Sequence, residues 1–135
     1  MDPDLERRIH AAYEAFVAGD LDAALEGFAP DAALVNPDYA IDSGAQEGLA
    51  DVRAGLASMH EQFVYESIVP RSIEEGPDGV LVMVRIRARG RASGAPVDQD
   101  FAHVIGLCDG RVVQHRWFAT AAEGRAAAGL SPTPR

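Results

Sequence analysis

Asp98 to Thr120, DQDFAHVIGLCDGRVVQHRWFAT, reads as two long strands that fold back on each other at Cys108-Asp109-Gly110, with a histidine in each arm. With a three-residue loop and Gly110 at positive φ, pairing runs Leu107 with Arg111, Ile105 with Val113, His103 with His115 and Phe101 with Trp117. One sheet face then carries Phe101, His103, Ile105, Leu107, Val113, His115, Trp117 and Ala119, an apolar wall that holds two imidazoles. A two-residue Asp109-Gly110 turn would set His103 opposite Arg116 and separate the histidines, because a shift of one residue turns every side chain to the other face. The three-residue register is the expected one.

The segment before this hairpin supplies helices and further strands. Asp2 can cap and Pro3 can open a helix to Val17, with Leu5, Ile9, Ala12, Tyr13, Phe16 and Val17 at helical spacing. Gly19 stops it, and Asp20 can cap a short second helix, LDAALEGF, that Pro30 ends. Ala32 to Asn36 reads as a strand broken by Pro37, and Asp38 to Gly48 as a loop without periodicity. Leu49 to Phe63 returns to helix through Val52, Leu56, Met59 and Phe63. Strands Val64 to Glu74 and Val80 to Ala92 follow, joined at Gly76 to Gly79, and the Ser93-Gly94 turn leads into the hairpin. The end, Ala121 to Arg135, is an alanine-rich, helical stub with a Ser-Pro-Thr-Pro tail expected to fray over about residues 130–135. Helices first and an antiparallel meander afterwards predict an α+β fold in one domain, residues 1–135 with a core of about 5–121, its helices packed on one face of a curved sheet.

Composition narrows the function classes. The chain of 135 residues carries 12 Lys and Arg against 21 Asp and Glu, a formal charge of −9, which argues against nucleic acid and against an anionic membrane surface. No apolar run approaches the roughly 18 residues of a membrane span. The opening MDPDLERRIH lacks the basic-then-apolar run of a secretory signal, and the one cysteine, Cys108, cannot form an internal disulfide, so a cytoplasmic protein is expected.

The run AGDLDAALEGFAPDAALVNPD, a helix after Gly48, and a sheet closing on HVIGLCDGRVVQHRWF together resemble the SnoaL-like group of the nuclear transport factor two-like superfamily. That group includes polyketide cyclases, and ketosteroid isomerase belongs to the same superfamily. The resemblance spans about Leu5 to Ala121 and implies a cone-shaped, cystatin-like roll: a curved antiparallel sheet wrapped around N-terminal helices. The isomerase's general-base aspartate, directly before a proline, falls on Asn36 before Pro37, and asparagine accepts no proton at neutral pH. Its tyrosine falls on Ala12, with Tyr13 one place on, and its protonated aspartate falls near His103. The fold hosts unrelated enzymes and proteins with no chemistry, so the resemblance implies fold more than reaction.

Each candidate residue carries a functional and an ordinary reading. His103 can carry a proton near neutrality, or it can be a core histidine satisfied by a backbone carbonyl or by Tyr13. His115 can assist it or sit in solvent at the rim. Asn36 and Tyr13 can hydrogen-bond a developing oxyanion, and Asp38 can serve as base if its loop turns inward. Phe16, Tyr39, Phe101, Trp117 and Met59 would bind an apolar substrate or pack as core. No third ligand accompanies the two histidines, His10 and His60 lying in helices at exposed or flanking positions, so no metal is expected. Asp98 and Asp100 read as partners of Arg89 and Arg87 in a cross-strand ladder on the outer face, which Arg85, Arg91 and Arg116 would share and which suits a homodimer surface. The leading expectation is a cofactor-independent acid–base enzyme, an isomerase, cyclase, dehydratase or hydrolase acting on a small apolar metabolite. A non-catalytic hydrophobic-ligand-binding or dimerisation module, and a protein-binding role, are the other readings.

Overall fold

A computed structural model describes residues 2–40 and 44–132. The elements run α1 (Pro3–Val17), α2 (Leu21–Ala24), β1 (Phe28–Asn36), β2 (Gly44–Glu47), α3 (Leu49–Gln62), β3 (Phe63–Gly76), β4 (Gly79–Gly90), β5 (Pro96–Cys108), β6 (Arg111–Phe118) and α4 (Ala121–Ala128). The strands form one six-stranded sheet in the order β2-β1-β6-β5-β4-β3, antiparallel except where β1 meets β6. The α+β architecture is the one predicted.

Local chemistry explains the first helix. The Asp2 side chain accepts from the Asp4 amide at 2.9 Å and Pro3 occupies the first turn, where its missing N–H costs nothing. Leu5, Ile9, Tyr13 and Phe16 form the buried stripe that lies on the sheet. Asp20 caps α2 through the Ala23 amide, but α2 ends at Ala24 and β1 begins at Phe28, earlier than the strand expected from Ala32. Pro30 therefore lies inside β1. It sits where the β1–β6 register shifts, between Phe28 and Ala33, so it removes no donor from a regular ladder.

The sequence also missed β2. Gly44 to Glu47 was predicted as loop, yet it pairs with Ala33 to Asn36 at the sheet edge. Its residues are exposed apart from a half-buried Gln46, so it has no apolar alternation to read. The middle of the predicted loop, residues 41–43, and the end of the predicted frayed tail, residues 133–135, lie outside the described residues.

The β5–β6 register differs from the expected one, with a consequence for the site. The loop has two residues, Asp109 at φ 52° and Gly110 at φ 77°, the mirror-image turn that matches strand twist. Cys108 pairs with Arg111 and Leu107 with Val112, after which the ladder shifts so that Gly106 faces Gln114 and Ile105 faces His115. Val113 is the extra residue of a β-bulge. The two-residue turn by itself would have separated the histidines, but the bulge restores the parity. His103 consequently faces Trp117 rather than His115, and the imidazoles meet on one face as diagonal neighbours.

The outer ladder is displaced as well. Arg85 pairs with Asp100 and Arg87 with Asp98, two residues away from the expected pairing, because the β4–β5 turn spans Arg91 to Ala95. Arg85 bridges both acids, at 2.8 Å to Asp98 and 3.4 Å to Asp100, and Arg89 turns to Glu66 at 3.1 Å. Arg91 donates instead to the backbone oxygen of His60, and Arg116 to that of Ala127.

The helices were expected on one face, but α4 covers the other. It packs Ala128 on Leu81, Ala102 and Val104, so β4 and β5 are buried on both sides there. Arg125, 5% exposed, anchors it by donating to Glu74 at 2.7 Å and to the backbone oxygen of Ser131. Close approach depends on Gly124, where a Cβ would lie 2.5 Å from that of Ala102 and 2.9 Å from Leu81 Cδ1. Gly124→Ala is therefore expected to lower stability by about 1–3 kcal/mol through overpacking, read as a lower urea midpoint. An unchanged midpoint would show that α4 contributes little to the fold.

Candidate functional site

Between the concave sheet face and helices α1, α2 and α3 lies a cavity of about 850 Å³ with a mainly apolar lining. Its floor comes from alternate residues of β5 and β6: Phe101, His103, Ile105, His115 and Trp117 all line it. Tyr13 and Phe16 enter from α1, and Met59 from α3. Val52, which also lines the cavity, and Val82 and Val84 are fully buried.

Three polar side chains meet in this hollow. The Tyr13 hydroxyl lies 2.7 Å from His103 Nδ1, both residues being 9% exposed. The His103 and His115 rings stand edge to face with centroids 4.7 Å apart and planes at 72°. Among the described residues nothing hydrogen-bonds the buried His115 Nδ1, and an unpaired buried polar atom is costly. His103 lies between Val82 and Trp117 in the sheet, and His115 between Ile105 and Leu34.

Burial sets the protonation states. Desolvation holds the His103 imidazole well below its ordinary value, and the neighbouring His115 adds to the effect. Desolvation likewise lowers His115 to about 4, partly offset by its own backbone. Burial pushes the Tyr13 phenol up, so it keeps its proton, and pushes Tyr65, another lining residue, up to about 12. Near neutral pH the site is thus a chain of uncharged donors and acceptors in an apolar enclosure. Such a chain can orient an uncharged oxygen and pass a proton, because neutral imidazole both gives and accepts hydrogen bonds.

The remaining candidates take different places. The Trp117 indole N–H donates to Asn36 Oδ1 at 2.8 Å, which fixes the Trp117 ring, itself edge-on to Phe101 at 5.8 Å. Asn36 is therefore engaged in holding the wall. Asp38 is exposed on the turn after Pro37 and does not line the cavity. Tyr39 is 55% exposed and also lies outside the lining; its oxygen accepts from the Ala119 amide at 2.7 Å and its hydroxyl donates to Glu123 at 3.3 Å. It joins the end of β6 to α4. Sequence reasoning missed the wall residues Leu34 and Tyr65, whose inward direction follows from strands whose register it could not fix. His60 is half-buried, with Nε2 2.6 Å from the Phe16 backbone oxygen, so it fastens α3 to the end of α1. No group of three or more His, Cys, Asp or Glu able to hold a metal occurs among the described residues, and none of the described helices is long and apolar enough to cross a membrane.

Residues 9–115 match the family model described as a SnoaL-like domain. Similar solved structures include a protein assigned as an isomerase from Bacillus subtilis, at 19% identity and TM-score 0.75, covering 97% of this chain and 100% of that one. A protein assigned as a SnoaL-like polyketide cyclase from Jannaschia sp. CCS1 aligns at 20% identity and TM-score 0.75, covering 97% and 98%. A protein with a ketosteroid isomerase-like fold from Catenulispora acidiphila, solved in complex with trimethylamine, aligns at 15% identity and TM-score 0.73, covering 99% and 100%. The comparison with curated proteins gives no match.

The lowered imidazole values make stability depend on pH. The folded protein binds fewer protons than the unfolded chain, whose histidines titrate near 6.5, so the contribution is complete above that pH and is lost as pH falls toward about 4. For His115 alone the loss amounts to on the order of 3 kcal/mol. The melting temperature is expected to drop between pH 7 and pH 4.5, and to drop less in His115→Phe. An equally steep fall in that variant would contradict the assignment to His115.

Proposed function

The chain belongs to the SnoaL-like domain family, and on that premise we propose that it is an enzyme performing cofactor-independent acid–base chemistry on a small, apolar, carbonyl-bearing metabolite. The observation that carries this reading is the Tyr13–His103–His115 chain inside a cavity walled mainly by hydrocarbon and aromatic rings. The protonated Tyr13 hydroxyl donates to His103 Nδ1, which leaves the proton of His103 on Nε2, on the ring edge away from Tyr13. That N–H holds the substrate carbonyl oxygen. Neutral His115 takes the proton from the adjacent carbon, and the electron pair of the broken C–H bond moves onto the oxygen as an enol or enolate. Return of the proton to another carbon isomerises the substrate, and attack of the enolate carbon on a second carbonyl closes a ring as that C=O π pair moves to its oxygen, which takes the proton back from His115. Asn36 acts by fixing Trp117, and Phe101, Trp117, Phe16 and Met59 shape the apolar volume. Asp38 and Tyr39 are left outside the chemistry because they do not line the cavity.

As part of the same reading the protein acts as a cytoplasmic single domain and a homodimer, joined through the outer sheet surface beside the Arg85–Asp98 ladder. Its substrate is uncharged at the end that meets the histidines, which Phe101, Ile105 and Trp117 surround.

Proton exchange tests the proposal. A cyclic ketone such as 2-tetralone, shown to bind by its effect on Trp117 fluorescence, is expected to exchange its α-protons with deuterium oxide faster in the presence of the protein. His115→Ala should lower the rate by about 10²-fold or more, and Tyr13→Phe should lower it while leaving binding intact. Because the proton acceptor is neutral His115, the rate should hold from pH 8 to pH 5.5 and decline only as pH approaches about 4. Bound ketone that exchanges no faster than in buffer would contradict catalysis and favour the second reading. In that reading the cavity only sequesters a hydrophobic molecule, a reading favoured by Asn36 where the isomerase has its aspartate.

A further inference from the structure

Strand β5 lines the cavity along its whole length: Val97, Gln99, Phe101, His103, Ile105 and Leu107 all face it, the alternation of an extended strand. In the first half of that row Gln99 is the polar residue, set between Val97 and Phe101 and paired with Ile86 on β4. Strand β6 ends at Phe118, opposite Ala102, so the β5 residues before Ala102 lie beyond the end of β6, and Gln99 is exposed there.

Tyr65 reaches the same end of the cavity from β3. It is in register with Ala88 on β4, and Ala88 with Val97 on β5, and all three line the cavity. The half-buried Tyr65 ring is held by edge contacts with Phe16 at 5.0 Å and His60 at 5.4 Å. Burial pushes its phenol up to about 12, so it keeps its proton. Neither the Tyr65 hydroxyl nor the Gln99 amide hydrogen-bonds another described residue, which leaves both with their full capacity to donate and accept. From His103 to Gln99 is four residues, roughly 13 Å of extended backbone, so this polar end stands well apart from the Tyr13–His103–His115 chain.

We propose that Tyr65 and Gln99 form a second hydrogen-bonding subsite, which takes a hydroxyl group at the end of the substrate remote from the histidines. The inference rests on the acid–base reading and adds the substrate class: an elongated, rigid ketone that carries a hydroxyl at its opposite end. The Tyr65 hydroxyl donates to the oxygen of that group, and the Gln99 side-chain oxygen accepts its proton. Held at both ends, with its middle against Phe16 and Phe101, the substrate is fixed in the orientation that sets one α-carbon beside His115. Both residues act by positioning, and neither touches the reacting atoms.

The pair 4-(4-hydroxyphenyl)cyclohexanone and 4-phenylcyclohexanone tests this, since the two differ only in the hydroxyl at the end opposite the ketone. By calorimetry on the full chain the hydroxylated ketone is expected to bind about 10-fold more tightly, the modest ratio of hydrogen bonds made at a partly solvated end. Tyr65→Phe and Gln99→Leu should each lower the ratio, and the double variant should bring it to about one. A packing role alone would weaken both ligands alike and keep the ratio. Equal affinities in the unaltered protein, or a ratio that survives in the double variant, would overturn the subsite, while α-proton exchange of either ketone faster than in buffer would leave the acid–base reading in place. A ratio lost in the double variant, with no accelerated exchange in the unaltered protein, would support the subsite and contradict the acid–base reading. Binding of neither ketone would overturn both.

Discussion

The β-bulge at Val113 decides what the protein's cavity contains. Without it, the two-residue turn at Asp109-Gly110 would carry His115 to the outer face and leave His103 alone among hydrocarbon. One inserted residue brings His115 and Trp117 to the concave side that Leu107 and Val112 also face. The same displacement sends Arg116 outward, where it donates to the Ala127 oxygen of α4. Bulges commonly re-aim side chains next to functional sites, and here a single one assembles the aromatic wall, the paired imidazoles and the seat of the last helix.

The second constraint is electrostatic. Two imidazoles and a phenol share an enclosure, and each is held in its uncharged form by the cost of desolvation. The arrangement departs from carboxylate-based acid–base sites, in which a charged base and a protonated acid sit side by side. It suits a substrate whose buried end is neutral and whose reaction needs a weak base beside a hydrogen-bond donor.

Much of this was legible in the sequence, for physical reasons. The stripe Leu5, Ile9, Tyr13 and Phe16 has one period and one interpretation. Asp2, Asp20 and Gly110 announce caps and turns by chemistry that acts within a few residues. Legibility ended where a feature depends on partners distant in sequence. Strand β2 exists because β1 offers it an edge, and α4 crosses to the convex face because Gly124 lets it approach Ala102. The displacement of the Arg85 ladder came from the length of a turn, and the meeting of the histidines from a bulge. Neither leaves a compositional mark. Tyr39 illustrates the limit well: an aromatic residue in a glycine-rich stretch suggests a ligand contact, yet its oxygen is taken up by the Ala119 amide and Glu123.

The claim that everything functional rests on is that His103 and His115 face a dry interior as neutral imidazoles, one of them tied to Tyr13. Nitrogen-15 NMR of the labelled histidine rings, followed from pH 8 to pH 4.5, measures this most directly. The account predicts that His103 and His115 keep neutral-ring shifts down to about pH 5, with the His103 tautomer altered in Tyr13→Phe. Both rings titrating near pH 6.5 like free histidine, with no response to the loss of the Tyr13 hydroxyl, would contradict it.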